Sequence, residues 1–414
     1  MTSPFFSIAI PTKGRSHLIG IALHSLLRQT FTDWEAIVAD NNEDDRTLRV
    51  VERFKDSRIR YRRSGGLSMP DNWEFACSDI HGRYLCILED KQALKYGSLE
   101  RIAAIARSRR PGMIRWRSDA IRPFSYGHRI RRARGDGGIR FRPSEQVLRD
   151  FVRRSYGEMK RALPLPQFSA ISRGILDAVR AGPVGRLCPP VSPDYTLALQ
   201  ALAVSEGVTY VDLGLVTYSD VRESNGRSLR VKGELARQFT EALGGCRVFF
   251  DKVPVKAITV PGTIYNDFCN LQAKIPALQK YEIDWPRYFV ECYDAIEDSR
   301  RQGADMNEEA REWTRALSDQ PDLVRSQVHE RIEAKRPSSW IRRFRRQVRQ
   351  SPTVQQARNF FTMFIRGAIL RRPEWRFKTI TEYLDWEFAR NKGNGSGGSD
   401  PRSMEVPSSP RRSP

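Results

Sequence analysis

"FSIAIPTKGRSHLIGIALHSLLRQTFTDWEAIVADNNEDD", Phe6 to Asp45, decides the fold. Two short apolar runs frame it, "FFSIAIPT" at 5–12, which begins one residue earlier, and "WEAIVAD" at 34–40. Between them, "LIGIALHSLLRQ" places its apolar residues at helical spacing. Each run empties into a polar cluster, Thr12-Lys13-Gly14-Arg15 after the first and Asp40-Asn41-Asn42 after the second. Strand, helix and strand with such short connections predict a parallel unit with one crossover.

The alternation continues. "RTLRVVERFK" predicts a helix, "IRYRRS" a third strand, and "PDNWEFACSDI" a helix with Pro70 in its first turn, where the missing N–H costs nothing. "RYLCILED" reads as a fourth strand, "GSLERIAAIARS" as a helix and "GMIRWRS" as a fifth strand. This is the pattern of an α/β chain with a mostly parallel mixed sheet flanked by helices. Ligands of such sheets sit beyond the carboxyl ends of the strands. Three polar clusters converge there, the third being Glu89-Asp90-Lys91.

Residues 119–162 are rich in arginine and glycine, and read either as a long mobile loop or hairpin insertion that closes over a site, or as a solvated basic loop. Order returns with "PQFSAISRGILDAV" as a strand and helix, "PPVSPDYTLALQALAVS" as a helix starting near Pro193-Asp194, and "GVTYVDLGLVTYS" as a last strand. From about 228 to 390 the pattern is mainly helical, with breaks expected near "TVPGTIYND", "EIDWPRY", "AKRPSSW" and "RRPEW". The Gly/Ser/Pro-rich end, 391–414, lacks the apolar residues for a core and is expected to be disordered.

The chain has 414 residues and a formal net charge of +21. Such a field suits anionic partners, whether nucleotide phosphates, nucleic acid or an anionic membrane surface, and also fits a plain arginine bias. No helix-turn-helix, zinc or RNP signature accompanies the charge, so nucleic acid is not the expected partner. The six cysteines show no C-x-x-C pair and the five histidines do not cluster, which argues against a zinc or histidine metal centre. The first residues lack a signal-peptide pattern and no apolar run reaches the roughly 20 residues of a membrane span, so a cytoplasmic location is expected. No G-x-x-x-x-G-K-[ST] and no G-x-G-x-x-G follows the first strand. The loop Pro11–Arg15 still offers N–H groups and cationic side chains to a diphosphate. Asp40 reads either as a ribose or base contact or as a turn residue.

The same opening run resembles family 2 glycosyltransferases. That family has a "PT-x-N-R"-like loop, a helix ending "S-x-x-x-Q" and a strand "W-E-x-x-V-x-D"; here these are Pro11-Thr12, Gly14-Arg15, Ser25 to Gln29, Trp34-Glu35 and Asp40. Gly14 stands where asparagine is usual. Asn72-Trp73, Gly82-Arg83-Tyr84, "SPDYTLALQALA" and "VTYVDLGLVTYS" extend the likeness over roughly 5–222. The resemblance implies a GT-A fold: a nucleotide-sugar-binding half over 1–118, an acceptor-side half over 119–226, a helical region over 227–390 and the tail. It implies nucleotide-sugar contacts from Pro11, Thr12, Arg15, Asp40, Asp45 and Asn72. It implies Asp194 as general base of an inverting transfer to a glycan or lipid-linked acceptor. Ser192-Pro193-Asp194 also reads as an ordinary helix start, with the acid complementing the dipole.

Registering on "LKYGSLE" puts Lys91 and Gln92 where the family's acidic metal motif falls. Three readings stay open. Lys91 replaces the metal and meets the diphosphate directly; or Glu89 and Asp90 hold Mg²⁺ or Mn²⁺; or the fold survives as a catalytically inactive binding or scaffold protein. Finally, "SSWIRRFRRQVRQ" spaces Trp340, Ile341, Phe344 and Val348 helically among arginines. It reads either as an interfacial helix on an anionic membrane surface or as a helix packed on the catalytic domain.

Overall fold

The computed structural model describes residues 3–124, 127–133, 135–219, 241, 250–335 and 380–393. Among them, ten strands form one sheet. Strands β1 (Phe6–Thr12), β2 (Trp34–Asp40), β3 (Ile59–Arg63) and β4 (Tyr84–Ile87) make an all-parallel half in the order β3-β2-β1-β4. The remainder comprises β5 (Gln92–Leu94), β6 (Met113–Phe124), β7 (Gly127–Arg131), β8 (Ile139–Pro143), β9 (Ser169–Ser172) and β10 (Gly207–Ser219). From β4 the sheet continues through β9, β6 and β10 to β5. Here β6 and β10 pair in parallel, and the other pairings are antiparallel.

Strand burial explains why these runs are apolar throughout rather than alternating. Phe6, Ile8 and Ile10 of β1 join Ala36, Val38, Tyr84 and Cys86 in a core beneath the helices Ser16–Leu27 and Ser98–Arg109. The intervening residues Ala9, Ile37, Ala39, Leu85 and Ile87 point into a second core on the opposite face. A parallel sheet covered on both faces needs apolar residues at both parities.

The second core runs without a break into the helical region. Phe151 of the helix Ser144–Arg153 packs on Phe268 with ring centroids 4.9 Å apart, and Tyr265 meets Tyr288 at 5.5 Å. The helices Val260–Gln272 and Trp285–Arg301 thereby share one core with the sheet. On the other side, the helix Ile380–Gly393 buries Tyr383 and Leu384 against Ala93, Ile121 and Ile130. Its Glu387 reaches Lys95 at 3.1 Å, and Lys95 also contacts Asp119 at 2.9 Å.

Several expectations are revised. β4 is shorter than "RYLCILED", and the chain turns through Glu89–Lys91 into β5, which the periodicity did not reveal. Three residues carry too little pattern; β5 exists because β10 offers an antiparallel edge, with Gln92 opposite Tyr218. Of the readings of 119–162 the hairpin is the one found, β6 running on to Phe124 and pairing with β7, and the segment goes on, against the loop readings, into β8 and the helices Ser144–Arg153 and Tyr156–Ala162. The break expected near "TVPGTIYND" is present, with the chain non-helical up to Thr259 and a helix beginning at Val260. Thr259 accepts the Gly262 N–H at 3.0 Å as the cap, with proline in the first turn. The stretch 338–350, on which the membrane-helix expectation rests, and the end from 394 lie outside the described residues, while 391–393, expected in the disordered tail, finish the helix Ile380–Gly393.

Candidate active site

The carboxyl ends of β1, β2 and β4 are tied to one another by side chains. Asp90, fully buried, accepts hydrogen bonds on Oδ2 from Thr12 Oγ1 at 2.7 Å and from Arg15 Nε at 2.8 Å. Pro11 and Thr12 are buried at the end of β1. Gly14 turns the loop at φ +69° and donates its N–H to Asn42 Oδ1 at 2.8 Å. Left-handed backbone suits glycine first and asparagine next, so Gly14 meets what this turn requires.

Asp40 is also fully buried. Its Oδ1 accepts from the Asn42 N–H at 3.1 Å and Asn42 Nδ2 at 2.6 Å, and its Oδ2 accepts from the Tyr61 hydroxyl at 2.8 Å. Asn72 accepts from Ser64 Oγ at 2.7 Å on Oδ1 and donates to the Ala39 carbonyl. Asp40 and Asn72 therefore brace the end of β2 and the loop behind it. Asp45 sits apart on the exposed rim, paired with Arg63.

Lys91 is the unusual member. Its side chain is 7% exposed, and its ammonium lies 3.4 Å from Glu89 Oε1 and 5.4 Å from the centroid of Tyr218. A charge-assisted contact is ordinarily about 2.7–2.9 Å, so this pairing is loose. Burial works against the charge, but the attraction of Glu89, with Tyr218 and Asp90, outweighs it and holds the lysine pKa above its usual value. The backbone is anchored: the Ser219 N–H donates to the Lys91 carbonyl, and the Glu89 N–H to Gln92 Oε1. Two buried polar atoms at this edge, Asp90 Oδ1 and Gln92 Nε2, have no hydrogen-bond partner. Buried orphans of this type mark a place where a ligand or water completes the network.

The donor set does not suit the divalent ion that the family resemblance implies. Asp90 Oδ2 already serves Thr12 and Arg15, and the Glu89 carboxylate faces Lys91. An ion shared by Asp90 Oδ1 and Glu89 would sit beside an ammonium. It would have to compete with that ammonium for the Glu89 carboxylate. Among the described residues, no group of three or more His, Cys, Asp or Glu side chains could hold a metal.

Asp194 occupies the first turn of the helix Pro193–Ala203 and accepts a hydrogen bond from Gln167 Nε2 at 3.0 Å. Tyr84 pairs with Ser172 and Leu85 with Ile171, antiparallel. Gln167, two residues ahead of β9, therefore lies towards the end of β4 that carries Glu89 and Asp90. Behind the same helix start is a residue missed by the sequence reading. Asp267, 1% exposed on the helix Val260–Gln272, accepts the N–H groups of Val191 at 2.7 Å and Ser192 at 2.6 Å. Burial pushes its carboxyl up to about 7, against those two N–H groups, and the charge of Asp194 adds to the rise. A signal for it was present: an acid set among Ile264, Phe268 and Leu271 on the apolar stripe of a helix. Nothing comparable marked Gln167. A separate cavity of about 590 Å³ in the helical region, lined partly by Thr259, Glu291 and Lys335, shares no residue with this edge.

A parallel half-sheet with its polar groups gathered at the carboxyl edge, continued by a mixed half that brings in a helix-borne carboxylate, is the GT-A plan. Residues 7–175 match the profile of Glycosyl transferase family 2. One relative is the Escherichia coli UDP-Glc:alpha-D-GlcNAc-diphosphoundecaprenol beta-1,3-glucosyltransferase WfgD, 39% identical over 54 residues, 13% of this chain and 21% of that protein. Another is the Campylobacter jejuni GalNAc(5)-diNAcBac-PP-undecaprenol beta-1,3-glucosyltransferase, 31% identical over 100 residues, 23% of this chain and 32% of that protein. The matches thus span a third or less of these relatives' length. Among solved structures, S. aureus TarS 1–349 overlaps with a TM-score of 0.44 at 14% identity, covering 80% of this chain and 92% of that one. Its complex with UDP-GlcNAc overlaps with a TM-score of 0.45 at 13% identity, covering 72% and 92%.

Proposed function

We propose that the protein is a glycosyltransferase that moves a sugar from a nucleotide-sugar donor to a glycan or lipid-linked acceptor with inversion. The observation that carries this reading is Asp194, held by Gln167 beside the strand edge where Asp90, Arg15 and Lys91 meet. The family match over 7–175 and relatives that use diphosphoundecaprenol-linked sugars support it. In the proposed reaction the acceptor oxygen attacks the anomeric carbon while Asp194 takes the hydroxyl proton. The bond from that carbon to the diphosphate breaks, its electron pair leaves with the nucleoside diphosphate, and the configuration inverts. Thr12, Arg15, Asp40 and Asn72 fix the donor-side loops, with Pro11 in β1 and Asp45 at the rim. A lipid-linked acceptor places the work at the inner face of a membrane; no helix among the described residues is long and apolar enough to cross one.

The test is release of nucleoside diphosphate from a panel of UDP-, GDP- and dTDP-sugars with a lipid-linked acceptor. Asp194→Asn is expected to lower kcat at least a thousandfold while donor binding stays within twofold. Turnover of Asp194→Asn at the wild-type rate would remove Asp194 as the base. Donor binding without turnover in the unaltered protein would favour the inactive, scaffold-like alternative.

A further inference from the structure

Resting on the transferase reading, we propose that the donor diphosphate is held without a metal ion, the Lys91 ammonium supplying the positive charge that a divalent cation supplies elsewhere. The charge balance carries it first. Two carboxylates loaded with a divalent ion sum to zero; here Glu89 and Asp90 are balanced by Lys91 and Arg15, which also sum to zero. The edge already possesses the positive charge that a pair of acidic residues would otherwise recruit.

Geometry carries it second. Lys91 is fixed at its backbone by Ser219, and its buried ammonium lies a loose 3.4 Å from Glu89 Oε1 and 5.4 Å from the centroid of Tyr218. A lysine ammonium has three donors, and a diphosphate presents acceptor oxygens to match them. Gln92 Nε2, a buried donor without a partner, stands one residue further on and is a second group fit for an anionic oxygen. Lysine meets phosphate as a point charge, so it does not need the fixed shell a metal requires. The unpartnered Asp90 Oδ1 is assigned to the sugar or ribose hydroxyls, which donate to a carboxylate as phosphate oxygens cannot.

The experiment is calorimetric binding of UDP, GDP and dTDP and their sugars to the full chain, each in EDTA and in Mn²⁺. One nucleotide series is expected to bind with a Kd that differs less than twofold between the two conditions. Lys91→Met should weaken that binding at least tenfold in EDTA, and Lys91→Arg should restore most of it. Lys91→Asp, which completes an acidic run with Glu89 and Asp90, should lose binding in EDTA and regain it in Mn²⁺. Thermal melts of each variant check that it is folded. Wild-type binding that appears only with Mn²⁺ overturns the proposal and leaves the transferase reading standing. Unchanged binding by folded Lys91→Met overturns it equally. Silence of every nucleotide in both conditions overturns both readings together.

Discussion

Asp267→Asn sets two physical effects against each other and shows which wins. The carboxylate of Asp267 accepts two short backbone N–H bonds, which favour its ionised form, but it is buried beside Asp194, which disfavours it. Burial prevails, raising the pKa from 3.8 to about 7. A carboxyl raised in the folded state contributes stability below its unfolded pKa and loses it as pH climbs through the folded one. At about 1.4 kcal/mol per pKa unit, the shift corresponds to roughly 4 kcal/mol surrendered between about pH 4 and pH 7. Asparagine does not titrate, but its amide NH₂ meets one of the two backbone N–H groups and leaves it unsatisfied, a cost of about 1–3 kcal/mol at every pH. Asp267→Asn should therefore be clearly less stable than the unaltered protein near pH 4.5, with the difference shrinking or reversing by pH 8. Urea unfolding at half-unit steps of pH measures both curves. A difference that widens with pH would mean the N–H pair depresses the carboxyl instead, and would refute the reasoning. Because Asp267 holds the turn leading into Asp194, kcat of the variant should also fall about tenfold or more with donor Kd unchanged.

Gly14→Ala should cost about 1–2 kcal/mol in urea unfolding because of the φ of +69°, and Gly14→Asn less than about 1 kcal/mol; equal costs would show that the left-handed backbone is not the constraint. Lys95→Met removes the cation between Asp119 and the helix-borne Glu387 and should destabilise by about 3–5 kcal/mol, much of it regained on adding Glu387→Gln. No recovery in the double variant would place the loss elsewhere. Gln167→Leu deletes one bond to Asp194, of the order of 1.5 kcal/mol, and should slow turnover about tenfold with KM for donor unchanged; an effect on KM alone would mark Gln167 as a binding group.

Local sequence pattern was enough for the parallel half. The run "WEAIVAD" matches β2 residue for residue, because a strand buried on both faces is apolar along its length. Helix starts at Pro70 and Pro193 were legible because proline and a following acid act within a single turn. The likeness to family 2 glycosyltransferases and the candidate residues Asp194, Asp90 and Lys91 came from the same stretches. Tertiary structure alone decided what depends on distant partners. β5 is three residues long and exists through β10, more than a hundred residues later. Gln167 and Asp267 matter through hydrogen bonds to Asp194 and to the 191–192 backbone, across separations that no local window spans. The state of Lys91 was undecidable from its neighbours in the chain. Its burial, its loose contact with Glu89 and the commitment of Asp90 Oδ2 to Thr12 and Arg15 arise only when β1, β4 and β10 are brought to one edge.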